Sequence, residues 1–370
     1  MNAIALRKAL HQIPEIAFEE HQTKALLLKT LQDIPGITDD SWKLHEFRHS
    51  TGILIAYNGG EGAYKLFRAD MDALPIKETV SSPYPSQHEG FMHACGHDVH
   101  MAILMGLMQQ IALDKPATNL LFLFQPAEEG KGGAQSVLAE DIIQSYKIHS
   151  ACALHVASGL PVGTISSKAG IFFGIPQEFD VRFHGKASHV AYPEQGINAL
   201  HAGLDFTNKI HTAVNEISKT DRVIYHIGKM SAGDIRNIIP ALCTLEGTHR
   251  SLKKQVRDKL NRLTYDFANT CAAAIGATAE VELLCSYDAV VNDAYLVQQL
   301  ESACQALKLD YQQAETAMTG EDFGFFTTLY PGVLFWLGSG CDAPLHSDKF
   351  LPKDECIATG IKLMHHLALQ

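Results

Sequence analysis

Two kinds of strand pattern share one chain, and this contrast constrains the fold more than any other feature. Toward both ends, apolar residues run almost unbroken through 52–58, 66–70, 119–125 and 332–338. Such runs fit strands covered on both faces, as in an α/β sheet flanked by helices. Helical patterns separate them at 19–31, 97–112, 133–139 and 354–369. The middle of the chain reads differently. Phe179, Val181 and Phe183 alternate with Asp180, Arg182 and His184, and Val281 and Leu283 alternate with Glu280 and Glu282. Period-two alternation marks strands with one wet face, typical of an antiparallel sheet backed by helices, here expected at 194–214 and 252–274. The expected architecture is a discontinuous α/β domain with a mixed sheet, residues 1–167 and 284–370. Into it is inserted an α+β domain with an antiparallel sheet, residues 168–283.

Charge removes several classes of partner. Thirty Lys and Arg against 41 Asp and Glu give a net charge of −11. Nucleic acid and anionic membrane surfaces need a basic footprint, so neither is expected as a partner. The first residues lack the apolar core of a secretory signal, and no apolar stretch approaches the roughly 20 residues of a membrane span. The eight cysteines form no CxxC pair and are irregularly spaced. That pattern fits a reduced, cytoplasmic protein whose cysteines are mostly buried apolar residues.

Nineteen histidines are the unusual count, and position must decide which carry chemistry. The segment His93-Ala-Cys95-Gly-His97-Asp98-Val-His100 places five potential ligands just before an apolar helix. Thiolate and imidazole together suit zinc-like divalent ions, and Gly96 lets the backbone turn so that side chains converge. His93 and His100 are either ligands or neighbours at the helix start. A structural zinc finger would need a second such pair, and none lies nearby. Two carboxylates, Asp70 and Asp72, follow an apolar strand and point to one side. The doublet Glu128-Glu129 follows the most apolar strand, where α/β sheets place their ligand crevice. Its two side chains are expected to diverge, one to ligate metal and one to act as general base; acidic residues favoured at a helix N-terminus are the plainer explanation. His155 and His346 each follow an apolar run. A Cys95–His97 nucleophile pair is conceivable but does not need the Glu doublet or two further histidines. There is no Gly-x-Ser-x-Gly elbow and no phosphate-binding P-loop.

Together these segments resemble the M20 metallopeptidase family, in its amidohydrolase branch, subfamily D. The likeness runs nearly end to end: Leu10-His-Gln-Ile-Pro-Glu15, Arg68-Ala-Asp-Met-Asp-Ala-Leu-Pro75, Met92-His-Ala-Cys-Gly-His-Asp98, Gln125-Pro-Ala-Glu-Glu-Gly130, Gly185-Lys-Ala-Ser-His189, Asn237-Ile-Ile239, Gly247-Thr-His-Arg250 and Met318-Thr-Gly-Glu-Asp-Phe323. The resemblance implies an enzyme that hydrolyses small N-acyl amino acids with two divalent metal ions per subunit, Mn, Zn, Co or Ni. By motif match it implies Cys95, His97, Glu129, His155 and His346 as ligands, Glu128 as the base that deprotonates the attacking water, and Asp72 as the residue orienting a ligand. Asp70 stands where other branches carry a ligand histidine, so it receives no metal role. The inserted domain resembles the family's lid and dimerisation domain, implying a homodimer or larger homo-oligomer. Within it, substrate contacts are expected from His189, Asn237 and Arg250. Ser188 departs from relatives, which often have a small apolar residue or Gly there. The segments 122–133, 317–324 and 331–338 resemble enzymes whose acetylated amino acid carries a second charged end.

Overall fold

The apolar runs from the two ends of the chain meet in one sheet. The computed structural model describes residues 1–370 and separates into two compact units. The first is made of Met1–Phe172, Val290–Thr316 and Asp322–Gln370; the second is made of Phe173–Ala289 and Ala317–Glu321. The inserted unit therefore begins at 173 rather than 168, ends at 289 rather than 283, and also takes in the short segment 317–321. That segment follows the second unit's backbone, for Gly174 N–H donates to the Ala317 carbonyl (2.9 Å).

In chain order the strands are β1 (Trp42–Glu46), β2 (Ile53–Asn58), β3 (Tyr64–Asp70), β4 (Asn119–Gln125), β5 (Ile148–Ala157), β6 (Thr164–Ser167) and β7 (Gly170–Phe173). The second unit supplies β8 (Ile175–His184), β9 (Ile224–Ala232), β10 (Leu242–Ser251) and β11 (Thr278–Ser286). The chain then returns through β12 (Val290–Asn292), β13 (Asp310–Gln313) and β14 (Gly332–Gly338).

In the first unit, eight strands are ordered β1-β2-β4-β3-β5-β14-β6-β13. The central four, β4, β3, β5 and β14, run parallel, and antiparallel β2 and β6 flank them. All seven residues of β4 are buried, as a strand covered on both faces requires. The helix His97–Asp114 lies buried against this sheet and against the helices Ala3–His11 and Glu355–Leu369. It is apolar nearly all round, which is why it can only be an interior helix. No helix is long and apolar enough to cross a membrane.

In the second unit the antiparallel sheet is ordered β11-β8-β10-β9. Phe179, Val181 and Phe183 of β8 are fully buried against Phe206 and Ile210 of one helix and Leu260 and Ala268 of another. These helices are Ala199–Ile217 and Lys254–Ala274. The first starts later than its apolar pattern suggests. Pro193–Gln195 forms a separate 3-10 turn, and the Asn198 side chain caps the helix by accepting from Leu200 N–H (3.1 Å).

Candidate metal centre

Four parallel strands deliver their carboxyl ends side by side, and in α/β sheets this is where ligands bind. Asp70 and Asp72 lie at and beyond the end of β3, Glu128 and Glu129 beyond β4, and His155 near the end of β5. His346 sits well beyond β14, in a loop rather than at a strand end. Its backbone is left-handed (φ 61°) and its N–H donates to Ala94 (2.9 Å), which brings the ring back toward Cys95. Cys95 and His97 flank Gly96, whose φ of 87° and 2.4 Å approach of a would-be Cβ to Val156 leave room for glycine only.

The side chains converge. Cys95 Sγ lies 3.3 Å from His155 Nε2 and 3.3 Å from His346 Nε2, and His346 Nε2 lies 3.2 Å from Glu129 Oε1. Potential ligand atoms group as Cys95–His97–His155 and Cys95–Glu129–His346, with Cys95 in both, and also as His97–Glu128–Glu129 and Asp70–His97–His100. Metal–ligand bonds of about 2.0–2.3 Å set neighbouring donor atoms roughly 3–4 Å apart, as seen here. The expected divergence of the Glu doublet does not occur. Ala127 is left-handed (φ 58°), and Glu129 and Gly130 leave helical geometry inside the short turn Glu128–Lys131. An oxygen from each carboxylate therefore falls within 4.8 Å of the other and of a His97 nitrogen. The turn is not a regular helix N-terminus.

Two features of the residues themselves fit a divalent cation. His97 Nδ1 donates to the Asp72 carbonyl (2.8 Å) and His155 Nδ1 to the Val156 carbonyl (2.8 Å), which leaves Nε2 as the nitrogen each ring has for a metal. His97 Nε2 is buried without a hydrogen-bond partner, a costly arrangement that a cation relieves. Burial opposes charge on His97, but Asp70 and Asp72 outweigh it and hold the ring up at about 10. Burial, with Glu129, Glu128 and Asp70 behind it, pushes the Cys95 thiol well above its ordinary value. That is the reverse of what a cysteine nucleophile needs, whereas coordination deprotonates a thiol outright.

The open question over His93 and His100 has a geometric answer. His100 Nδ1 donates to Asp70 (2.6 Å) and Nε2 accepts from Val156 N–H (2.9 Å), so both nitrogens are engaged. His93 is buried but joins none of the ligand groups, and burial drives it down to about 3. Asp98, another potential ligand, faces away and takes Arg7 Nε (2.9 Å) and His11 Nδ1 (2.9 Å). Asp72 holds the doublet's backbone: Oδ1 accepts Glu128 N–H (3.0 Å) and Oδ2 accepts Glu129 N–H (2.9 Å). Sequence reading gave no role to a buried cradle around these groups. Arg68 donates to Gln125 (2.9 Å), Asp70 (2.8 Å) and Asp322 (2.7 Å), and Asp322 accepts Ala134 N–H (2.8 Å). Arg68 and Asp322 lie within recognised motifs, yet only folding reveals that residues 254 positions apart touch.

In the second unit, His189 and Asn237 are exposed neighbours. His189 pairs with Ile238 across an isolated bridge, and Val190 N–H donates to the Asn237 carbonyl (3.0 Å). Arg250, on β10 between Pro176 and Ile224, is partly buried and forms no ion pair.

Parallel strand ends bearing a buried Cys, His and Glu cluster with a second carboxylate beside it define a hydrolase of the metal-dependent class. The chain belongs to peptidase family M20/M25/M40, whose profile matches residues 66–370. It is 40% identical to the N-acetyldiaminopimelate deacetylase of Oceanobacillus iheyensis, across 96% of this chain and 95% of that one. It is 35% identical to the N-acetyldiaminopimelate deacetylase of Bacillus subtilis, across 98% and 96%. Among solved structures it is similar to the Bacillus subtilis YXEP protein, described as a dinuclear metal-binding peptidase of family M20, with TM-score 0.83, 27% identity, and 99% and 96% coverage. A protein from methicillin-resistant Staphylococcus aureus shares the fold at TM-score 0.90 and 23% identity, over 100% and 95% of the two chains.

Proposed function

We propose that this chain removes the acetyl group from N-acetyl-LL-2,6-diaminopimelate, releasing LL-2,6-diaminopimelate and acetate, by metal-dependent amide hydrolysis. The convergence of Cys95, His97, Glu129, His155 and His346 beside Glu128 carries the chemistry. The near full-length likeness to deacetylases of one name carries the substrate.

Those five residues would hold two divalent cations, Mn, Zn, Co or Ni, which when bound polarise the amide carbonyl and acidify the attacking water. Glu128 takes the water proton and returns it to the departing amine. Asp72 keeps His97 in the tautomer that presents Nε2 and fixes the peptide planes on which Glu128 and Glu129 stand. In the second unit, Arg250 takes the substrate carboxylate; its planar fork matches two oxygens and no side-chain carboxylate occupies it. His189 donates to the developing oxyanion, with Asn237 beside it contacting substrate. The working form is a cytoplasmic homodimer, or a larger assembly of this chain, in which the second unit is the lid and dimerisation domain.

The test is a panel of N-acyl amino acids turned over by purified protein with and without added Mn²⁺ or Zn²⁺. The diaminopimelate derivative should give the highest kcat/KM, and only with metal. Hippurate or N-acetyl-methionine ahead by tenfold would assign a general aminoacylase instead.

A further inference from the structure

The turn that carries both glutamates is held by a residue no motif includes. Glu20 precedes the helix His21–Gln32 in the N-cap position, yet its side chain does not cap that helix. It points inward and is fully buried. Its Oε1 accepts Phe18 N–H (3.0 Å) and Ala127 N–H (2.9 Å), and its Oε2 accepts the Thr51 hydroxyl. Phe18 and Ala127 are both non-glycine residues in the left-handed region, at φ 66° and 58°. Neither amide donates within a helix or a strand ladder; each goes to Glu20 instead.

Ala127 immediately precedes Glu128. The amide of Ala127 goes to Glu20, and the next two go to Asp72. The Ala127 carbonyl then closes the turn by accepting Gly133 N–H (2.9 Å). Three successive peptide planes are thus fixed by two carboxylates from distant parts of the chain. Asp72 fixes the planes on which the glutamates stand, and Glu20 fixes the left-handed one that aims them.

We propose that Glu20 is a positioning residue for catalysis, holding Ala127 left-handed so that Glu128 and Glu129 face the same centre. The proposal rests on the assignment of Glu128 as the base. Burial, with the charge of Asp72 behind it, pushes the Glu20 carboxyl up to about 7, and in either protonation state Oε1 still accepts. Glutamine keeps an acceptor at that place and alanine does not, so the two substitutions separate positioning from bulk.

The experiment combines amide hydrogen exchange with kinetics on the metal-loaded, full-length chain. In Glu20→Ala, exchange at Ala127, Glu128 and Glu129 should rise at least about tenfold while the rest of the chain keeps wild-type protection. Because small misplacements of reacting groups are costly, kcat on the acetylated substrate should fall about 10- to 100-fold, with KM and metal stoichiometry nearly unchanged. Glu20→Gln should recover most of both. Unchanged exchange at Ala127 overturns the proposal, as does a rise spread over the whole first unit, or a kcat loss as large in Glu20→Gln as in Glu20→Ala. Should Glu20→Ala not fold, Thr51→Val, which frees one oxygen of Glu20, must loosen the same three amides and lower kcat several-fold; no change in either overturns it. Exchange reports the clamp whatever the substrate, so a wild type inactive on the whole panel would remove the deacetylase reading without deciding the role of Glu20.

Discussion

At the scale of single residues, the proposed ligands and their neighbours differ in what their ring nitrogens touch. His97 and His155 each tie Nδ1 to a backbone carbonyl, and His155 turns Nε2 to Cys95, whereas His100 ties one nitrogen to Asp70 and the other to the Val156 backbone. Much of this set was legible in the sequence, because ligand types crowd into short motifs: Cys95 with His97, and Glu128 with Glu129. Glu20 was not legible, since its partners Thr51 and Ala127 lie in other elements and nothing in its own neighbourhood marks it. Glu128→Gln should keep its metal, measured by elemental analysis, and lose turnover by roughly 10²–10⁴-fold. Parallel loss of metal, with Glu129→Gln retaining it, would exchange the two roles. Cys95→Ser should lower metal affinity, because the thiolate belongs to two of the three-residue groups and a hydroxyl is the poorer ligand for zinc-like ions. Full activity in excess chelator, abolished by thiol alkylation alone, would instead support a cysteine nucleophile.

At the scale of elements, strand patterning read the sheets well and missed what depends on distant packing. β4 and β14 have the bounds their apolar runs suggest, 119–125 and 332–338, because burial on both faces leaves no other pattern. The helix at Ala199 begins late for a local reason, a 3-10 turn and an asparagine cap. The link between the helix Ala3–His11 and the helix His97–Asp114 was invisible, since Arg7 and His11 look like ordinary surface residues of the first helix. Both are buried against Asp98. Burial opposes charge on His11, but hydrogen bonds to Asp98 and Glu78 outweigh it and raise the ring to about 9. A group whose folded pKa is raised stabilises fully below its unfolded value and ceases to do so as pH passes the folded one. His11 therefore contributes on the order of 3 kcal/mol below pH ~6.5, lost as pH rises toward ~9. In thermal melts across that window, His11→Gln should be less stable than wild type at low pH and approach it at high pH. A constant difference would show that His11 is neutral in the folded protein.

At the scale of the whole molecule, the proposed homodimer requires a surface on the second unit that suits contact with another copy. His189 and Asn237 sit together on the surface of the second unit, with Val190, Tyr192, Ile235 and Ile238 exposed among them. Exposed apolar residues grouped around two polar groups suit a contact made in an assembly. Resemblance to the family implies that His189 serves the neighbouring subunit. Its imidazole would then donate to the oxyanion that develops there, a contribution of about 2.7–4 kcal/mol to the barrier in comparable sites. Glu128→Gln and His189→Ala homodimers should each be nearly inactive. When the two are mixed and their subunits exchange, an assembly acting across the interface contains one site with both wild-type residues, so each heterodimer should regain up to about half of a wild-type dimer's activity. If His189 serves its own subunit, every site in the mixture keeps one defect and no activity returns. Subunit exchange, verified by native mass spectrometry of differently tagged chains, without recovery would therefore assign His189 to the subunit that carries it, and a strictly monomeric species would remove the cross-subunit role altogether.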